Sequence, residues 1–304
     1  LPAEAAAAAA TAERLRRINA VRSWGYQLAA LSLSAAQASP YDLLVVDATT
    51  GLDTGTPFTR ADVERLKTAP DGRKRLLISY LSIGEAEDYR EDYFAKEYLD
   101  EEAPDWLMKE NPQWKGNRII RFCDEGWQRT ILGDDMGRNV YRPGEASPLY
   151  RLIELGFDGV YLDRVDVYAE VTKECPGGAN AMVDFVARLA AHARRKDPKF
   201  LVILQNAEEL LAQKRMVETI DAVAKESLFY GGNMGQGANP PGDVSAVLAH
   251  LRRAKSAGRP VFVVDYLIDK GRAADAVQKI AAEGFIPYVG PRNLARLWLP
   301  GVNF

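Results

Sequence analysis

Short apolar runs recur along the chain with room for one helix between most of them. They stand at 24–28 (WGYQL), 43–48 (LLVVDA), 76–83 (LLISYLSI), 118–123 (RIIRFC) and 159–162 (GVYL). Four more follow at 200–204 (FLVIL), 222–225 (AVAK), 261–266 (VFVVDY) and 285–289 (FIPYV). Near-continuous apolar runs of this length mark strands buried on both faces, as in a parallel sheet covered by helices. Between them stand helix starts: Thr59 before RADVERLKTA, Ser147 before PLYRLIELG and Asp243 before VSAVLAHLRRAKSAG. Gly156, Gly258 and Gly284 fall where a helix would stop and the next strand begin. The alternation runs on without a proline-rich or polar linker, so the spacing predicts one α/β domain over 1–304, a single (β/α)8 TIM barrel. Residues 1–22 form a helical lead-in, with Leu15, Ile18 and Val21 at helical spacing. Nine runs are one more than a barrel needs, and the first or the last is expected to lie outside the ring. No GxGxxG follows the first run and no P-loop occurs, which weighs against a nucleotide-binding doubly wound sheet.

Composition narrows the chemistry. Lysine and arginine number 39 against 42 acidic residues, a balance that offers no electrostatic reason for nucleic acid or anionic membrane as a partner. No apolar run is long enough for a membrane span, which takes about 18 residues or more. The two histidines, His192 and His250, lie beside basic residues on helix-like stretches and are expected on solvated helix surface. Histidine-dependent triads and histidine-rich metal sites are therefore disfavoured. Carboxylates, tyrosines, amides and backbone must carry the chemistry, and no cofactor is expected. Cys123 and Cys175 are too few for a disulfide scaffold; one bridge between loops on one rim and two unpaired thiols both fit. The chain opens on Leu1-Pro2 and runs into alanines at 5–10, which reads as a stretch just after a removed secretion signal. A secreted or periplasmic location is expected on that basis.

In a barrel of this kind the active site lies at the carboxyl ends of the strands. Acidic or amide side chains stand there in nearly every run: Asp47, Glu85, Asp124, Asp163 with Asp166, Asn206, Glu226 and Asp265. Some could be helix N-caps, Asp88 and Glu208 among them. As a set they describe an acidic rim, in which mutual repulsion raises some pKa values and leaves other groups ionised. That split suits glycoside hydrolysis, with a magnesium or calcium site as the chemical rival. Aromatics stand at the same ends, with Tyr80, Tyr161, Tyr230 and Tyr288 as candidate sugar-contacting residues and Trp106 and Trp114 as candidate cleft wall. The cluster GGNMGQG at 231–237 lacks the lysine and helix start of a phosphate loop and reads as a lid or substrate-lining loop. Lys225 neighbours Glu226, so if Glu226 faces the barrel mouth then Lys225 faces the helices.

These segments resemble glycoside hydrolase family 114, the endo-α-1,4-polygalactosaminidases, and more distantly the hydrolase domain of the Pel exopolysaccharide protein. The likeness rests on WGYQL, LLVVDA, ISYLSIGEAEDYR, RFCDEGWQ, GFDGVYLDRVDVY, LQNAEEL and VVDYL, and runs from about residue 24 to the C-terminus. ISYLSIGEAEDYR and GFDGVYLDRVDVY are its specific parts; Cys123 stands where the family commonly has an aromatic. The resemblance implies a retaining, endo-acting enzyme that cleaves α-1,4-linked galactosamine and N-acetylgalactosamine exopolysaccharide, a biofilm-matrix material. Asp163 would be its nucleophile and Glu226 its general acid/base. Asp47, Glu85, Asp124, Asp166 and Asn206 would hold amines and hydroxyls of a polysaccharide that is cationic when deacetylated. The alternative from another class is a non-catalytic carbohydrate-binding TIM barrel.

Overall fold

The structure is a computed structural model that describes residues 2–51, 55–90 and 103–299. Its strands in chain order are β1 (Trp24–Gln27), β2 (Leu43–Val46), β3 (Leu76–Ser82), β4 (Glu85–Glu87), β5 (Leu107–Glu110) and β6 (Asn117–Ile120). Then come β7 (Gly159–Asp163), β8 (Leu201–Gln205), β9 (Ala222–Glu226), β10 (Val261–Tyr266) and β11 (Ile286–Gly290). The helices are α1 (Pro2–Asn19), α2 (Leu33–Ala38), α3 (Arg60–Leu66), α4 (Glu125–Leu132) and α5 (Pro148–Leu155). They continue with α6 (Gly178–Lys196), α7 (Lys214–Thr219), α8 (Pro241–Ser256) and α9 (Lys270–Ala282).

Eight strands pair in parallel in the order β1-β2-β3-β7-β8-β9-β10-β11 and curl into a (β/α)8 barrel with helices outside. Thr59 and Ser147 cap α3 and α5 through their side chains, as their sequence positions predict. Asp243 instead sits in the first turn of α8, which starts earlier, on Pro241. Seven junctions of the ring are backbone ladders. At the eighth, where β11 meets β1, side chains make the join: the Trp24 indole donates to the Ile286 carbonyl at 3.0 Å and the Tyr288 hydroxyl to the Tyr26 carbonyl at 3.2 Å.

The strand left outside is neither first nor last. The run at 118–123 contributes β6, which pairs antiparallel with β4 and β5 in a separate three-stranded sheet. A parallel ring strand needs a crossover, usually helical, before it. Between Ser82 and Asn117 the described residues hold no helix, so hairpins form instead and β3 takes β7 as its ring neighbour.

Register fixes which side chains enter the barrel. Tyr26 pairs with Val45, Tyr80 with Tyr161, Ser82 with Asp163, Glu226 with Val264 and Tyr266 with Gly290. Parallel partners share a face, and every second residue turns inward. The interior is aromatic: Trp24 lies 5.5 Å from Phe262 and 5.6 Å from Tyr288, and Tyr26 lies 5.1 Å from Tyr161, ring centre to ring centre. Beneath the strand N-termini, α1 is tied to the barrel by Arg14, which bonds Asp221 at 3.0 Å, and by an Arg17–Asp158 ion pair. Asp221 and Asp158 in turn accept the Val202 and Leu77 amides.

His192 departs from its expectation. It is buried, with its ring 5.1 Å from that of Tyr150 on α5, because the inner face of α6 packs on that neighbour. Cys123 and Cys175 form a disulfide across 52 residues of sequence, with their Cα atoms 5.7 Å apart. It joins Cys123, two residues before α4, to the loop that precedes α6.

Candidate active site

The two acids bracket β8. Asp163 is the last residue of β7 and Glu226 the last of β9, both on the inward parity of their strands. Two strands apart, their Cα atoms stand about 10 Å from each other, and barrel curvature turns the side chains toward one another. Asp163 accepts three hydrogen bonds: from the Tyr80 hydroxyl at 2.6 Å, the Gln205 amide at 2.6 Å and the Arg164 backbone amide at 2.7 Å. Glu226 is clamped by Asn206, whose amide donates to its carboxylate at 2.9 Å while its carbonyl accepts the Glu226 backbone amide at 3.1 Å. The Tyr266 hydroxyl donates to the other carboxylate oxygen.

These environments push the acids toward different tasks. Burial, and next the negative charge of Asp163, raise Glu226 from the ordinary carboxylate value to about 7, against the opposing bonds from Tyr266 and Asn206. Asp163 instead accepts from three neighbouring donors. The phenols of Tyr26, Tyr80, Tyr161 and Tyr266 are driven well above their usual value, by burial first and by neighbouring phenols and carboxylates next. They keep their protons and frame the acids as neutral groups.

The backbone is strained beside each of these side chains. Arg164, Asn206 and Ser227, directly after β7, β8 and β9, have φ of 58°, 56° and 52°. Gly84 is indispensable to the first of these turns: a Cβ there would stand 2.0 Å from the Arg164 carbonyl oxygen. Gly84→Ala is expected to destabilise the fold by about 1–3 kcal/mol and to lower turnover by displacing the peptide that follows Asp163. Urea unfolding and turnover measured together check this; wild-type values for both would contradict it.

Other candidates from the sequence fall elsewhere. Glu85 is buried and fully engaged, accepting the amides of Asn111 at 2.6 Å and Asn117 at 2.8 Å and pairing with Arg164 at 2.8 Å, so it does not face substrate. Asp47 is likewise buried against Arg90, at 2.7 Å. Asp124 is no barrel-strand residue: it is the N-cap of α4, accepting the Gly126 amide at 2.8 Å. Asp265 has the outward parity and caps the amides of Leu228, Phe229 and Tyr230. Tyr230 reaches outward to Asp275 on α9, and Tyr288 is sealed inside the barrel. Tyr161 lies beneath the acids, with its hydroxyl buried. Asp166 keeps a half-exposed carboxylate beside Arg164 at 3.5 Å. Trp106 is core, 4.9 Å from Trp127, whereas Trp114 is half exposed at the turn between β5 and β6. Lys225 pairs with Glu208 at 3.0 Å, on the outward parity expected of it.

Gln205 and Tyr266, which stand at strand ends in the sequence, join the site, together with Glu87 and Arg90. Gln205 and Tyr266 carry the inward parity at their strand ends, a signal present in the sequence. The surface clefts of about 640 and 430 Å³ lie at the other end of the barrel, around Asp42, Asp158 and Lys67 and around Arg22, Pro260 and Phe285. Ion pairs at the strand N-termini fill the first of these walls, and the chemical groups converge at the opposite end. Among the described residues no three His, Cys, Asp or Glu side chains gather as a metal site.

Comparison with known proteins places the chain among its relatives. The model of glycoside-hydrolase family GH114 matches residues 3–299. An uncharacterized protein of Deinococcus radiodurans is 36% identical over 288 residues, covering 93% of this chain and 84% of its own. The uncharacterized protein MJ1477 of Methanocaldococcus jannaschii is 31% identical over 300 residues, covering 92% and 80%. Among solved structures, the glycoside hydrolase domain of PelA from Pseudomonas aeruginosa superposes with a TM-score of 0.68 at 21% identity, over 91% of this chain and 97% of that one.

Proposed function

The chain belongs to glycoside-hydrolase family GH114, and we propose that it is a retaining, endo-acting hydrolase of α-1,4-linked galactosamine and N-acetylgalactosamine exopolysaccharide. The observation that carries this reading is the pair itself: Glu226, buried, clamped by Asn206 and Tyr266 and raised to about 7, beside Asp163, which accepts from Tyr80, Gln205 and the Arg164 amide. In the first step Asp163 attacks the anomeric carbon while Glu226 gives its proton to the departing glycosidic oxygen. In the second, Glu226 takes a proton from water, which attacks the anomeric carbon and releases Asp163. A retaining pair works at about 5–5.5 Å between carboxyl groups, and these two end the strands on either side of β8.

Substrate class follows from what the rim offers. Much of its acidity is internally matched, by Arg90 on Asp47 and by Arg164 on Glu85 and Glu170. Among the described residues, the catalytic pair and the half-exposed Asp166, which shares Arg164 at 3.5 Å, are the carboxylates assigned to an amino sugar, and the half-exposed Trp114 offers a ring for stacking. The Cys123–Cys175 bridge supports a secreted or periplasmic setting, where disulfides persist.

The test is incubation with α-1,4-galactosaminogalactan preparations that differ only in acetylation, followed by reducing-end and product analysis. New reducing ends with retained anomeric configuration, absent for Asp163→Asn, are expected. Binding without new reducing ends would instead assign a sugar-binding barrel.

A further inference from the structure

We propose that Glu87 is a positioning residue that governs the hydrogen bond received by Asp163, acting through the hydroxyl of Tyr80. The inference rests on Asp163 being the nucleophile. The Tyr80 hydroxyl lies 2.6 Å from Oδ2 of Asp163 and 3.3 Å from Oε1 of Glu87. A phenol has one proton, so two carboxylates compete for it. The competition ends when Glu87 itself holds a proton: its O–H then donates to Tyr80, and the phenolic proton is committed to Asp163. Glu87 is 1% exposed, which keeps it out of reach of any sugar.

The surroundings of Glu87 hold its carboxyl between the Tyr80 phenol and a guanidinium. Arg90 joins Glu87 to Asp47: its Nε donates to Glu87 and its other two nitrogens lie 2.7 and 2.6 Å from the Asp47 carboxylate oxygens. The same guanidinium lies 5.1 Å from the Tyr80 ring centre, fixing the plane of the phenol. Asp47 arrives from the end of β2, Tyr80 from β3 and Asp163 from β7, so three neighbouring strands meet at this carboxyl. Arg151 of α5 lines the small cavity beside Asp47, Tyr80 and Arg90. Burial, with Asp47 and Asp163 adding to it and Arg90 opposing it, raises Glu87 to about 7.

Kinetics of wild type, Glu87→Gln, Glu87→Asp, Tyr80→Phe and the Glu87→Asp/Tyr80→Phe double variant test the proposal on galactosaminogalactan. In Glu87→Gln, Arg90 holds the amide oxygen and the NH2 faces Tyr80 as the protonated acid's O–H does, so kcat and KM are expected within about twofold of wild type. Glu87→Asp keeps the charge opposite Arg90 while withdrawing the carboxyl from Tyr80, and is expected to lower kcat about tenfold with KM within twofold. The double variant should be no slower than Tyr80→Phe alone, because one path is cut at two points. Losses that multiply, a raised KM with unchanged kcat, or a Glu87→Gln as slow as Glu87→Asp overturn it. Urea midpoints give a readout independent of turnover. The effects of Glu87→Asp and Asp163→Asn should be non-additive with Tyr80 present and additive in Tyr80→Phe; additivity in both backgrounds refutes the coupling. Cleavage by wild type that Asp163→Asn abolishes, with Glu87→Asp unaffected, defeats this inference and leaves the hydrolase reading intact.

Discussion

Glu226→Gln is expected to slow polysaccharide cleavage by about 10³-fold, the scale of a lost general acid, while making the folded protein harder to unfold above neutral pH. Both effects come from one cause. The carboxyl is raised from the ordinary value of 4.5 to about 7, by burial and by Asp163. The folded state therefore binds this proton more tightly than the unfolded chain does. Stability falls as pH rises from the unfolded value through the folded one, and the penalty is complete above about pH 7. Glutamine carries no proton to lose. The variant should match wild type near pH 4 and exceed it by on the order of 1–3 kcal/mol at pH 8. For wild type, kcat/KM should decline above pH 7 as the acid form disappears. Urea unfolding at pH 4, 6 and 8 beside a pH–rate profile makes the comparison. An unchanged stability difference across that range would remove Glu226 from the role of strained acid.

Replacing both Cys123 and Cys175 with serine should cost about 4 kcal/mol of stability, the loop-closure entropy of a 52-residue span. Spread over a chain of this size, that lowers the melting temperature by about 6 °C. Reductant should produce a similar drop in wild type and none in the variant. The bridge ties the return from the β4–β6 sheet to the loop after β7 that carries Arg164 and Asp166. Equal melting temperatures for wild type and variant would show that packing alone holds that corner.

The barrel was legible because buried parallel strands leave an unmistakable apolar rhythm and capping residues mark the helices between them. The extra strand was harder to place. Nothing in RIIRFC separates a ring strand from one outside the ring; the difference lies in its antiparallel pairing with β4 and β5. Within the site, parity was the decisive rule. Applied to Lys225 and Glu226 it sorts them as the structure does. Applied to Asp265 and Tyr266 it selects Tyr266, the residue that bonds Glu226, over the acid beside it. Ionic neutralisation was invisible, since Arg90 meets Asp47 across 43 residues and Glu85 lies on another strand from Arg164. A row of acids at strand ends thus overstated the free negative charge of the rim.

The joint between β11 and β1 is stitched by an indole and a phenol where its seven counterparts are zipped by peptide ladders. Going round the ring, β7 and β8 lie diametrically opposite it, so Asp163 stands on the far wall and Glu226 one strand further on. Thermal breathing of the cylinder is expected to concentrate at that joint, which faster amide exchange in β1 and β11 than in β7 and β8 would show. The gap between the two acids is then insulated from that breathing, much as the hinge side of a bracelet keeps its curve when the clasp is loosened.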